Sequence, residues 1–319
     1  MTLLELSALS RVAPRQQAPP RSAGSRVRVL DLFCGAGGFS LGAKQAGCEV
    51  VLGVDYDEDA IQTALGFGLR AELRDVASLV RDHPKSIDLV VGGPPCQPYT
   101  GQGERGGRHD ARDGFPVAIE VLAAIRPRAV LLENVRGFLA PRHAGYRASI
   151  VKSLRKLFPH VGTWALDARD FGVPQDRARV FLWGADRPLD PPVPTHGPGT
   201  GHSYATVRQA LPGLGAPAIH VRSTAATSRL TDGPSPTVTG RATMYTSPRA
   251  GLSYRDGTVA EVAARRGQRA LTVAELAVLQ GFAAGARFSG TSSSQHQQVA
   301  NAVPPALAEA VVRAVLRYG

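Results

Sequence analysis

The chain has 319 residues, 43% of them hydrophobic and 20% charged, which is ample for the core of one large domain with a smaller one beside it. Its three cysteines, Cys34, Cys48 and Cys96, are too few for a disulfide framework or a metal knot, and they suggest a reducing, cytoplasmic setting. A formal charge of +11 favours a polyanionic partner, most simply nucleic acid, and no stretch reads as long and apolar enough to span a membrane.

Residues 1–26 open with MTLLELSALS and continue in Pro, Arg, Ser and Gln, a composition that reads as a disordered basic tail. Val27 to Phe33 is a short apolar run, expected as a buried parallel strand. It ends in Cys34-Gly35-Ala36-Gly37-Gly38 and passes into a helix over Phe39 to Ala46. A strand, a glycine turn and a helix start make a nucleotide-type pocket. Ser40 stands where a dinucleotide fingerprint wants its third glycine, which argues against hydride transfer with a pyrophosphate cofactor and for a smaller adenosyl ligand. The second strand, Glu49 to Val54, ends in Asp55-Tyr56; a carboxylate there suits ribose hydroxyls and the ring suits an adenine face. Asp57 is expected to cap the next helix. Asp75, after a short third strand, reads either as an acceptor for the adenine amino group or as a turn former.

The fourth strand, Ile87 to Val91, runs into Gly92-Gly93-Pro94-Pro95-Cys96-Gln97. Two glycines and two prolines end a strand abruptly and present Cys96 at its C-terminal end, which suits a thiolate nucleophile better than a packed core thiol. The Gly- and Arg-rich stretch from there to Phe115 reads as a lid over a phosphate backbone. Arg128 to Asn134 is a fifth strand ending in Glu133, an acid whose burial is costly without a partner or a task. Further on, a helix is expected near Tyr146 to Phe158, then a strand near Gly162 to Asp167. Gln175-Asp176-Arg177-Ala178-Arg179 then enters a strand over Val180 to Gly184, with Gln175, Arg177 and Arg179 expected on one face. After PLDPPVP the periodicity fades into a Pro-, Gly- and Thr-rich stretch. Thr272 and Glu275 form a capping box for a helix ending in LQGF, whose Leu276, Leu279 and Gln280 should pack back on the first domain. NAVPP precedes a last helix, Pro305 to Leu316.

Taken together, DLFCGAGG (31–38), GGPPCQ (92–97), ENV (133–135), QDRAR (175–179) and NAVPP (301–305) resemble the motifs of the cytosine-C5 DNA methyltransferases, in the same order, over residues 27–318. Four positions depart from the usual pattern: Tyr99-Thr100 for Phe-Ser, Ala300 for the glycine before Asn301, and Ala283 for the proline after Phe282. The resemblance implies an α/β fold: a Rossmann-like, mixed but mostly parallel sheet with helices on both faces, plus a small loop-rich recognition domain. It sets a catalytic domain at 27–186, target recognition at 187–265 and a returning segment at 266–319. It implies S-adenosylmethionine as methyl donor with no metal, double-stranded DNA as substrate, a monomer, and room for a cognate restriction endonuclease. Cys96 would be the nucleophile, Glu133 would hold cytosine N3, Arg177 would brace Glu133, and Arg179 would contact O2 of the base. Phe33, Gly35, Gly37, Gly38, Asp55, Tyr56, Asp75, Pro95, Asn301 and Val303 would surround the cofactor. The alternatives are the same chemistry on tRNA, weakened by the lack of a Cys-Phe-Thr element, methylation of a free nucleotide, and a catalytically silent nucleic-acid-binding homologue.

Overall fold

The computed structural model describes residues 25–95, 113–221, 229–240, 244–247 and 269–317; the amino-terminal tail and Cys96 lie outside them. β1 (Arg28–Leu32) turns into α1 (Gly38–Gln45), and β2 (Glu49–Asp55) leads to α2 (Glu58–Gly66). Then come β3 (Ala71–Leu73), β4 (Leu89–Gly92), α3 (Phe115–Ile125), β5 (Ala129–Val135), α4 (Ala144–Arg155), β6 (His160–Asp167) and β7 (Ala178–Ala185). They form one seven-stranded sheet in the order β3-β2-β1-β4-β5-β7-β6. Only β7 runs against its neighbours; β1 to β5 are parallel. The expected α/β class and mostly parallel sheet are what the chain adopts.

Strand alternation sorts the core into two layers. Val29, Leu89, Val91, Leu131 and Phe181 face the side covered by α1 and by α8 (Pro305–Leu316). Leu30, Leu32, Val90, Val130 and Leu132 face the other side, under Phe115 and Leu122 of α3 and Leu154 of α4. Each such fully buried side chain contributes about 1.5–3 kcal/mol, so the two layers hold the strand ends rigidly in register.

The remaining elements are α5 (Val207–Ala210), β8 (Ala218–Val221), β9 (Arg229–Leu230), β10 (Met244–Ser247), α6 (Val273–Leu279) and α7 (Ser292–Asn301). β10, β8 and β9 make a small antiparallel sheet. Ile219, Val238 and Met244 pack with Leu276, Leu279 and Val299 on Ala36 of the first glycine turn. The capping box at Thr272 and Glu275 forms as expected, and Leu276 and Leu279 are buried as expected.

One helix lies beyond the expected elements, and one expectation needs correction. α7 was not anticipated, because its Ser- and Gln-rich sequence has little apolar periodicity; Thr291 caps it through Ser294 N. The stretch Ser292–Leu316 is also long and apolar enough to cross a membrane by composition, against the expectation that none is. It is instead two helices broken at Ala302–Pro304, mostly buried in the core. At the edge where β1 begins, Val27, Leu89, Val315 and Leu316 line one small cavity.

Candidate active site

The C-terminal ends of β1, β2, β4 and β5 share one edge of the sheet with the start of the reversed β7. There the first turn is built on left-handed backbone: φ is 56° at Phe33, 52° at Gly35 and 83° at Gly37. Gly35 N donates to Asp55 Oδ2 at 2.8 Å and Asp57 N to Asp55 Oδ1 at 3.0 Å, so the ends of β1 and β2 are tied through one carboxylate. Burial raises the Asp55 carboxyl above its ordinary range, and these backbone N–H groups pull it back down. A Cβ on Gly38 would overlap the Val303 carbonyl oxygen, so the NAVPP segment sits directly on the turn.

Asp55 keeps lone pairs free for further donors, Tyr56 is 77% exposed, and a Cβ on Gly35 would meet nothing within 4 Å. An open turn beside a carboxylate with acceptor capacity to spare and an exposed ring fits an adenosyl group. Asp57 caps α2 through Ala60 N, as expected. Asp75 is exposed, and one of its oxygens caps the following 3-10 helix through Ala77 N at 2.9 Å. Val303 is buried in the core, while Asn301 is exposed and its Oδ1 accepts from Gln297 Nε2 at 2.7 Å.

Glu133 lies at the end of β5, directly opposite Phe181 in the β5–β7 register, with Arg179 two residues before Phe181 on the same face. Arg179 Nε reaches Glu133 Oε1 at 2.8 Å. Burial pushes the Glu133 carboxyl up, and Arg179 first and Arg177 second hold it back. A Cβ on Gly93 would stand 3.5 Å from Glu133 Oε2, so the start of the GGPPCQ run abuts this carboxylate.

Gln175, Arg177 and Arg179 do not share a strand face. Only Arg179 lies within β7; the backbone before it is held by Asp176 N on Ser235 O and Arg177 N on Asp167 Oδ1. The fully buried Arg177 therefore turns inward and donates to the carbonyls of Val238, Ala300 and Ala302. Hydrogen bonding to Glu133 thus falls to Arg179, and Arg177 acts on it only through its charge.

Gly114 N donates to Pro95 O at 3.2 Å, and a Cβ on Gly114 would crowd Pro94, Pro95 and the Phe33 ring. Pro95 and the Phe33 ring of the β1 turn thus both lie against Gly114. Tyr146 donates to the Asp113 carboxylate, whose other oxygen accepts from Phe115 N. Cys96 follows Pro95 directly. Burial, with Asp31 and Asp55 nearby, pushes the Cys34 thiol well up, which leaves Cys34 inert at neutral pH.

One buried acid adds to the expected residues, and the expected Gln175 and Gln280 pair with each other. Asp31, inside β1, accepts from Ser40 Oγ at 2.6 Å, and burial raises its carboxyl to about 7. An acid in the apolar run VRVLDLF was the available signal. Gln175 Nε2 donates to Leu279 O and Gln280 Oε1, while Gln280 Nε2 donates to Ala302 O at 2.6 Å.

The sequence profile of the C-5 cytosine-specific DNA methylases matches residues 27–206 and 220–317. The chain belongs to that family. Among curated relatives, this methylase is 32% identical over 311 residues to type II methyltransferase M.AplI of Arthrospira platensis, covering 91% of this chain and 86% of the relative. It is 31% identical over 318 residues to M.NgoMIV of Neisseria gonorrhoeae, covering 90% and 96%. The methylase also shares its fold with the S. pombe Dnmt2 methyltransferase, with TM-score 0.66, 19% identity, 92% of this chain and 100% of that one.

Proposed function

We propose that this methylase modifies cytosine at C5 in duplex DNA by transient addition of the Cys96 thiolate to the ring. The observation that carries the reading is the buried Glu133–Arg179 pair beside Gly93, three residues before Cys96 on the same chain. Cytosine C5 is a weak nucleophile while the ring is aromatic. When the Cys96 sulfur bonds to C6, the ring's electron pair moves toward N3 and O2. Glu133, its carboxyl raised by burial, shares a proton with N3 and so neutralises the charge that develops. Arg179 orients that carboxylate and offers its remaining donors toward O2. C5 thereby becomes an enamine carbon. Once C5 carries the new methyl beside its proton, a base takes that proton, its electron pair re-forms the C5–C6 double bond, the C6–S bond breaks, and Cys96 returns as thiolate.

Phe33, Gly35, Gly37, Gly38, Asp55, Tyr56, Asp75, Pro95, Asn301 and Val303 would hold S-adenosylmethionine, which when bound would supply a sulfonium methyl to C5 without a metal. The protein's part there is to fix an adenosyl group: Asp55 for ribose hydroxyls, Tyr56 along the base, and the glycine turn for close approach. C6 is hidden in an intact duplex, so the cytosine must leave the stack at a cost of about a few kcal/mol. Arg208 and Arg229, in the recognition stretch, pair with Asp232 and Asp176, and would exchange those carboxylates for base edges or phosphates when DNA binds. The type II names of the bacterial relatives support a role beside a restriction endonuclease in the cytoplasm of a bacterium, and the chain is proposed to act as a monomer.

The test is expression in a host without cytosine methylation, followed by bisulfite sequencing. Methylation in one sequence context is expected, with none from Cys96→Ser. A 5-fluorocytosine duplex should trap wild type covalently, because fluorine cannot leave as the proton does. Full turnover by Cys96→Ser would remove the nucleophile assignment.

A further inference from the structure

Past Glu133 the chain contains no Asp or Glu from residue 134 to residue 166, yet it carries Arg136, Arg142, Arg147, Lys152, Arg155 and Lys156. All but Arg147 are exposed. Among the described residues none of the six is in an ion pair, whereas elsewhere Arg28 pairs with Glu49, Arg74 with Asp82, Arg128 with Asp186 and Arg313 with Glu309. Lys152 and Arg155 on α4, with Lys156 at its C-cap, fall at i, i+3 and i+4, one cluster of like charge that repels itself unless an anion lies against it. The dipole of α4 welcomes cations in its last turn, but it does not account for Arg136 and Arg142 before the helix begins. The positive field is felt locally: partial burial, then Arg142 and Arg147, press the His143 imidazole below its ordinary value.

These cations also follow one path along the chain from the rim onto α4. Arg136 follows β5 directly, at the rim that carries Glu133. Arg147 donates to Phe138 O at 2.8 Å and fastens α4 to that rim. The helix then runs for 12 residues, about 18 Å at 1.5 Å per residue, down the outside of the sheet. Duplex DNA carries a charge about every 1.7 Å along its axis, so a strip of this length faces several phosphates.

We infer that Arg136, Arg142 and the Lys152–Arg155–Lys156 face of α4 form a second phosphate-binding surface, outside the cleft, that takes the duplex flanking the target cytosine. This rests on DNA being the substrate. It makes binding depend on flank length and adds sequence-independent contacts, each worth about 0.9 in the slope of log K against log salt.

The experiment compares the full chain with K152Q/R155Q/K156Q, and with R70Q/R81Q/K85Q as a control of equal charge loss near the β3 side of the sheet. Binding to duplexes of about 12 and about 40 base pairs is titrated over a salt series, beside methyl incorporation into plasmid DNA. For the long duplex, the α4 variant should weaken binding about 10-fold and lower the salt slope by about 2. Its short-duplex affinity, and the control's affinity for both, should hold. An unchanged slope, an equal loss on both duplexes, or an equal loss in the control would each overturn the surface. Failure of wild type to methylate plasmid DNA would instead bring down the functional reading, and this surface with it.

Discussion

Arg179 Nε stands 2.8 Å from Glu133 Oε1, while Arg177, two residues earlier, spends its guanidinium on three main-chain carbonyls. Neighbouring arginines of one motif therefore have separate duties. Removing Arg179 takes away the leading favourable charge on Glu133, so the Glu133 pKa rises further. Arg179→Met should lower kcat by about 100-fold and move the Glu133-dependent limb of the pH–rate profile to higher pH. Arg177→Met should instead strand the Val238, Ala300 and Ala302 carbonyls and cost about 3–5 kcal/mol of stability. pH–rate profiles and urea unfolding distinguish them; an equal profile shift in both variants would refute the division.

Asp31 gives a pH signature of its own. Its carboxyl titrates at about 7 when folded, against an ordinary value near 3.8. The folded chain holds that proton where the unfolded chain has lost it. The stabilisation is complete below about pH 4, falls by at most about 1.4 kcal/mol per pH unit, and is gone above about pH 7. Asp31→Asn retains an acceptor for Ser40 and should flatten this slope. Urea unfolding at several pH values between these limits reads it; an unaltered slope in the variant would exclude Asp31 as its source.

Gly38 and Gly35 should respond differently to alanine. At Gly38 the new methyl meets the Val303 carbonyl, part of the backbone, so Gly38→Ala should cost about 1–3 kcal/mol and weaken S-adenosylmethionine binding. At Gly35 the space is open and only the φ of 52° is unfavourable, for about 1–2 kcal/mol. Calorimetry with and without cofactor checks both. Retention of full cofactor affinity in Gly38→Ala would break the link between the turn and NAVPP.

Asp55→Ala removes the acceptor for Gly35 N and Asp57 N together with the proposed ribose contact. The dissociation constant for S-adenosylmethionine should rise at least about 10-fold, at about 1.4 kcal/mol per tenfold. Unchanged binding would reject the ribose role.

Much of the fold was legible because buried parallel strands announce themselves as short apolar runs, and VRVLDLF, IDLVV and RAVLLENV all became strands of one sheet. The edge of the site was legible too, since glycines, prolines and acids cluster where those strands stop. The QDRAR face was misread because strand alternation was extended back past Ala178, where pairing with Ser235 bends the chain inward. α7 was missed because Thr291 and polar packing through Gln298 and Thr63, rather than an apolar stripe, define it. Hydrogen bonds between residues as distant as Gln175 and Gln280 leave no periodic trace in the sequence.

Val27 and Leu316 line the same small cavity at the edge where β1 begins, away from the ends of the parallel strands. The two ends of the described fold therefore nearly meet, and a short glycine linker could splice them. New termini opened between Lys156 and Pro159, where α4 hands over to β6 at that same edge, would give a circular permutant with its methylating edge uninterrupted. Such a permutant should keep its catalytic rate on short duplexes while losing some resistance to heat, and a bulky reporter attached there, beside Lys156, should weaken binding to long duplexes.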